Sequence, residues 1–303
     1  MAKGLRDLRR KMKAIKSTRQ VTKAMELVAA SKMRRAVQNA QRLRSYAQTA
    51  WHVLHRIAAI HPNAHPYLEE RPTRRILAIL IGSDRGLCGS LNAQMFRATQ
   101  QYIRAAKALP GFERLDFVAV GRKGQQFLQR SQQTIIAAFP ALSNHPTYKD
   151  ILPLARLASE SFLKGDYDQV SLLYPHFASA LSQKPSAKVL LPYRAEQLQS
   201  MIADMLGVET EQEGPHIAEY LFEPSQESVL DVVLPQLTDM QVYQAILEAA
   251  ASEHSARMVA MRSASDNASS ILDDLTLTYN QTRQAGITAE LAELSASKAA
   301  LES

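Results

Sequence analysis

Residues Leu5–Ile57 read LRDLRRKMKAIKSTRQVTKAMELVAASKMRRAVQNAQRLRSYAQTAWHVLHRI, and their spacing decides the fold. Taken in sevens, one seam position holds Leu8, Ile15, Thr22, Ala29, Ala36, Leu43, Ala50 and Ile57. The other holds Leu5, Met12, Arg19, Glu26, Met33, Ala40, Ala47 and Leu54. No Pro or Gly interrupts the stretch, so it predicts one continuous helix with a coiled-coil seam. At about 1.5 Å per residue this rod is roughly 80 Å long, and it must lie along a comparable partner. The Ala-rich middle of the seam lets that partner approach closely. Arg19 and Glu26 stand where an autonomous coiled coil would place apolar side chains, so the rod gains stability from its surroundings.

The partner comes from the other end of the chain. Residues 225–303 carry a second seam: Leu237, Met240, Leu247, Ala251, His254, Met258, Met261, Ala268, Leu272, Leu275, Tyr279 and Thr282. Charge is divided between the two rods. Residues 1–44 contain 14 Lys/Arg against Asp7 and Glu26, a net of +12, while residues 225–303 have 11 Asp/Glu against 4 Lys/Arg. The chain as a whole is only +7, so its basic character belongs to the first rod. A charge run is often just a solvated helix face. A run this one-sided also favours an acidic partner. Antiparallel pairing of the two ends makes opposed residue numbers sum to roughly 285, which sets Met25 beside Met258–Met261. The C-terminal rod then overhangs by about 20 residues, roughly 30 Å, and Gly286–Ser303 needs an external sleeve for its apolar stripe.

Between the rods the texture changes. Pro62, Pro66 and Pro72 mark a linker. Strand patterns at Arg75–Ile81, Leu115–Val120 and Thr134–Phe139 alternate with helical ones at Leu91–Leu109, Lys123–Gln129 and Ile151–Leu163. This alternation predicts a parallel sheet with helices on its faces. Gln169–Tyr174 and Ala187–Pro192 read as a hairpin added to that sheet. A short helix at Leu198–Leu206, an acidic loop at Glu209–His216 and a short strand at Ala218–Phe222 follow. Ser225 caps the last helix, and Pro235 should kink its early turns. The expected fold class is therefore α/β: a long antiparallel coiled coil of N- and C-terminal helices with an inserted Rossmann-like α/β domain. Its parts are residues 1–61, 73–223 and 225–303.

At 303 residues with 46% hydrophobic and 21% charged side chains, the composition is that of an ordinary folded protein. No apolar run approaches the roughly 18–20 residues of a membrane span. The single Cys88 excludes an internal disulfide and fits a reducing compartment. The Arg-rich start has the flavour of a transit peptide. The heptads run past any cleavage point, so it reads as mature structure.

Three groups of motifs resemble the γ subunit of F-type ATP synthases. Lys23-Ala24-Met25-Glu26-Leu27-Val28-Ala29-Ala30-Ser31-Lys32-Met33 is similar to the family's N-terminal signature. Ser83-Asp84-Arg85-Gly86-Leu87-Cys88-Gly89 with Leu91-Asn92 is similar to its central motif. Ser252-Glu253-His254, Arg257–Met261, Asp266-Asn267-Ala268, Tyr279-Asn280 and Arg283–Thr288 resemble its C-terminal signature. The resemblance implies a non-catalytic central rotor shaft turning inside three α and three β subunits. It implies contacts to the ε subunit and the c-ring, and coupling of H+ or Na+ flow to ATP synthesis or hydrolysis. It implies a peripheral position on the cytoplasmic side of a bacterial plasma membrane. Lys23, Met25 and Lys32 match positions facing acidic β loops, Arg283 and Gln284 match a higher catch for a β loop, and Arg257 and Thr288 match positions coupled to them. The thiol-regulated insert of photosynthetic members needs a cysteine pair, and this chain has only Cys88.

Other chemistry finds less support. Gly82–Gly89 follows a strand and opens a helix, where a phosphate loop would sit. It lacks both the Gly-Lys-Ser/Thr ending and the GxGxxG spacing, and reads as a tight turn. His52, His55, His61 and His65 lack the companions a zinc site needs. Cys88 reads as a small buried residue, and Met33, Met258 and Met261 as adaptable seam packing. A DNA-binding reading of the basic helix fails because its basic residues and heptads are superimposed, and no aromatic precedes Tyr46. A dinucleotide enzyme lacks its fingerprint. No cofactor, metal or nucleic acid is expected.

Overall fold

The computed structural model describes residues 2–58, 65–142, 146–193 and 226–301. The expected segments at 198–206, 209–216 and 218–222, the cap at Ser225 and the helix end at His61 lie outside them. Helix α1 (Ala2–Ala58) runs 57 residues without a break. After a 3-10 turn (Pro66–Leu68) come β1 (Arg75–Ile81), α2 (Leu91–Lys107), β2 (Arg114–Val120), α3 (Arg122–Arg130), β3 (Ile135–Phe139), α4 (Tyr148–Leu163), β4 (Gln169–Phe177) and β5 (Gln183–Leu191). Helix α5 (Gln226–Leu301) closes the chain at 76 residues, with Pro235 inside it. The chain divides into two compact units, Met1–Ala30 with Arg257–Ser303, and Ser31–Ala256.

The larger unit is built on a five-stranded sheet in the order β3-β2-β1-β4-β5. Its first four strands are parallel, and β5 runs antiparallel to β4. Central β1 is buried on both faces, so its side chains divide between two cores, as period-two geometry requires. Ile76, Ala78 and Leu80 pack with Met95 and Ile103 of α2 and Phe127 and Leu128 of α3. Leu77, Ile79 and Ile81 pack with Ile151, Leu154 and Phe162 of α4. The same second core takes Leu230, Leu234, Leu237, Val242 and Ile246 from the start of α5. At about 2 kcal/mol per buried side chain, these five contribute on the order of 10 kcal/mol of gross apolar burial. The C-terminal helix is thus rooted in the sheet's own core. The linker is rooted there too, through Tyr67 and Leu68.

Three elements differ from the sequence reading. Helix α4 begins three residues early, because Asp150 Oδ2 accepts from both Thr147 N (3.1 Å) and Thr147 Oγ1 (2.6 Å), closing a capping box ahead of Pro153. The hairpin is longer than expected: pairing continues through Pro175↔Pro185, His176↔Lys184 and Phe177↔Gln183. The two prolines suggested a loop. Pairing of β4 with β1 ends at Leu173, so Pro175 has no second neighbour there for an N–H to serve. The third difference, in helix register, belongs to the smaller unit.

Candidate functional site

The smaller unit is a pair of helical segments with little but each other to pack on. Arg9 Nε and Nη2 donate to Tyr279 Oη at 2.9 and 2.5 Å, with the guanidinium over the ring. Ten residues on, Arg19 Nη1 donates to Ser269 Oγ at 3.3 Å. One number rises by ten while the other falls by ten, so the segments are antiparallel and opposed residues sum to 288. The expected sum of about 285 was one turn short. In the observed register Met25 stands opposite position 263, and Met261 is two positions away, roughly 3 Å along the axis. Met261 is buried and Met25 half-buried.

The seam is as thin as its alanines suggest. Thr22, Ala29, Met261 and Ala268 are buried along it. Its two charged residues are both accommodated. Arg19 is exposed and leaves the seam to reach Ser269. Glu26 stays largely covered, with Lys23 Nζ at 3.0 Å. Such an ion pair contributes at most about 1 kcal/mol. Outside the seam the first segment is cationic and also apolar: Val21, Leu27 and Val28 are 56%, 61% and 56% exposed. These three went unnoticed in the sequence. The legible signal was large apolar side chains one or two positions before seam residues Thr22 and Ala29.

The residues implied by resemblance fall into separate bands. Lys23 is exposed, Lys32 is half-buried, and Arg257 is buried at 9% exposure. Arg283, Gln284 and Thr288 are all exposed, and Gln284 and Thr288 share one face at four-residue spacing. In the 288 register Arg283 stands opposite residue 5. That is eighteen positions, about 27 Å, from Lys23, so the two bands are not brought together. Beyond Gly286, Ile287, Leu291 and Leu294 are 50%, 59% and 67% exposed.

The glycine-rich turn after β1 is closed on its own chain. Lys123 N donates to Ser83 O (2.9 Å), and Arg122 N and Ala141 N both donate to Asp84 Oδ1 (3.1 and 3.0 Å). These bonds tie the turn to the start of α3, and at the helix the turn itself opens, the first amide of α2, Leu91 N, donates to Cys88 O (3.3 Å). Ser83 Oγ lies 2.9 Å from both Arg85 O and Asn92 Oδ1, and Asn92 Nδ2 points at Cys88 Sγ (3.3 Å). Cys88 is 1% exposed, a packing residue rather than a reagent. His65 Nδ1 accepts from Tyr67 N at 3.1 Å, and its Nε2 faces Asp231 Oδ1 at 3.3 Å, so it serves the linker's fold. Among the described residues no group of His, Cys, Asp and Glu is placed to hold a metal. No helix of the described residues is long and apolar enough to cross a membrane.

Known proteins share this arrangement over almost the whole chain. The family model described as ATP synthase matches residues 4–301. The ATP synthase gamma chain of Trichlorobacter lovleyi is 40% identical over 291 residues, 96% of each chain. That of Herpetosiphon aurantiacus is 41% identical over 98% of each. Among solved structures, the central stalk and c-ring of Tetrahymena thermophila mitochondrial ATP synthase contains a chain with TM-score 0.56 at 25% identity, covering 81% of this chain and 99% of that one. A chain of the Euglena gracilis OSCP/F1/c-ring assembly has TM-score 0.64 at 22% identity, covering 99% and 95%, and supports the fold. With matches of this extent to the family model and to its curated members, the chain belongs to the ATP synthase gamma chain family.

Proposed function

We propose that this chain is the central rotor shaft of an F-type ATP synthase and has no catalytic centre of its own. The observation that carries this is an antiparallel helix pair whose first segment is cationic and leaves Val21, Leu27 and Val28 exposed, while Ile287, Leu291 and Leu294 are exposed on the last helix. A pair this thin needs a sleeve, and the α/β ring of the complex is one. Torque enters through two bands, Lys23, Met25 and Lys32 against acidic β loops and Arg283 and Gln284 against a higher β loop, with Arg257 and Thr288 coupled to them. The residues 73–223 form the body that meets the ε subunit and the c-ring, between rod segments 1–61 and 225–303. Through that body the shaft couples H+ or Na+ flow in the membrane to ATP chemistry in the ring. The complex lies at the cytoplasmic face of a bacterial plasma membrane, and this chain is peripheral to it.

The test is reconstitution. The purified chain should hydrolyse no ATP, and turnover should arise only when α and β subunits are added. Arg283→Ala combined with Gln284→Ala should lower coupled turnover about tenfold, the loss of roughly 1.4 kcal/mol of interaction. ATPase activity intrinsic to the purified chain, abolished by Asp84→Ala, would overturn the non-catalytic reading.

A further inference from the structure

The β4–β5 hairpin does more than extend the sheet. Phe177, at its end, packs on Ala36 of α1 and Ala250 and Ala251 of α5. Ser252 Oγ donates to Pro175 O at 2.9 Å, Ser255 Oγ donates to Ala180 O, and His176 Nδ1 lies 2.7 Å from Glu248 Oε2. Three α5 residues over about two turns, Glu248, Ser252 and Ser255, are therefore bonded to the hairpin. The turn itself is closed: Ser179 N and Ser182 N each donate to the other residue's carbonyl (3.0 and 3.2 Å), and Ser179 Oγ accepts from Leu181 N and Ser182 N (3.3 and 3.1 Å). At the apex of this fixed mount is Leu181, 82% exposed, the highest value among the large apolar side chains of the described residues.

A solitary exposed leucine on a loose loop needs no explanation. One held by a closed turn on a bonded strut is different, because the order of the turn owes nothing to packing of the leucine. Its height on the helices is fixed as well. Ala36 packs with Ala250 and Ala251, so opposed residues here sum to 286 or 287, and Ser255, which holds the hairpin, is level with Ser31 and Lys32. Lys184, three residues past Leu181, adds an exposed cation beside the tip.

We infer that Leu181 is a third contact of the rotor, an apolar knob that seats against an acid-flanked apolar loop of the surrounding α/β ring at the level of Lys32. The cation beside the leucine selects such a loop over a neutral one. This rests on the shaft reading of the chain. A benzophenone amino acid at position 181, in the full chain assembled with α and β subunits, tests it. Two companions use the same probe at position 284 and at position 109, the partly exposed Leu109 beyond α2. Irradiation should give a covalent product with a ring subunit from positions 181 and 284, at least tenfold above that from 109. A product from 284 with none from 181 above the level at 109 would overturn the third contact and leave the shaft reading standing. Products from neither 181 nor 284 would overturn both.

Discussion

Gly121 takes φ +86°, and a Cβ there would stand 2.3 Å from Gly82 O, a backbone atom that cannot step aside. Gly86, four residues after that same Gly82, has no heavy atom within 4 Å of an added Cβ. Gly121→Ala should therefore destabilise by about 3 kcal/mol or more, and Gly86→Ala should be neutral or stabilise by up to about 1 kcal/mol, both read from urea midpoints. The sequence marked this region as a tight turn but could not show which glycine is obligatory. That depends on β1 and β2 lying side by side. The role of Asp84 was hidden for the same reason, since its amide donors Arg122 and Ala141 lie at the start of α3 and in the turn after β3, which only the sheet order brings together. At the opposite ends of the strands, Asp168 accepts from Arg74 N and Arg75 N (3.1 and 2.8 Å) and from the Arg75 guanidinium (2.8 Å). Burial pushes its carboxyl up, but the bonds from Arg75 and the two amides outweigh burial and hold it below the usual carboxylate range. A depressed folded pKa means the stabilisation is fully present above the unfolded value of about 3.9 and is lost as pH falls through the folded one. Asp168→Asn should cost about 2 kcal/mol at pH 7 and should flatten the loss of stability below about pH 4. An unchanged acid limb in the variant would show that this carboxylate is not what titrates.

Among the elements, the long helices were the most legible. Seven-residue spacing marks a seam wherever it occurs, and every seam position named on α5 is buried or half-buried. Spacing cannot fix register, because an Ala-rich seam slides by a turn without losing its apolar contacts. Arg9–Tyr279 and Arg19–Ser269 supply that discrimination through polar groups off the repeat. The hairpin was underestimated because prolines were weighed without knowing that one strand had already lost its second neighbour. The overhang was expected from Gly286, and in the observed register, with Ala2 opposite residue 286, it begins at residue 287. A single helix of about fifteen residues is marginal in water, and the exposed Ile287, Leu291 and Leu294 do nothing to hold it in the free chain. Hydrogen exchange should show amides of Ile287–Leu301 exchanging rapidly in the isolated chain and slowing at least tenfold in the assembled complex. Equal protection in both would mean the segment folds without a sleeve.

At the scale of the molecule, the large apolar cores lie on the two faces of the sheet. The α/β core takes in the base of α5, so this part of the helix cannot be withdrawn without opening the sheet's packing. The central claim is that this chain turns inside a ring that does not. The direct measurement is single-molecule rotation. The ring is fixed to a surface, and a bead is attached through Lys107→Cys at the exposed end of α2; Cys88, being buried, is left in place. With ATP added, the bead should rotate continuously in one direction and stop when ATP is removed. Sustained ATP turnover by the same complexes with a stationary bead would contradict the account.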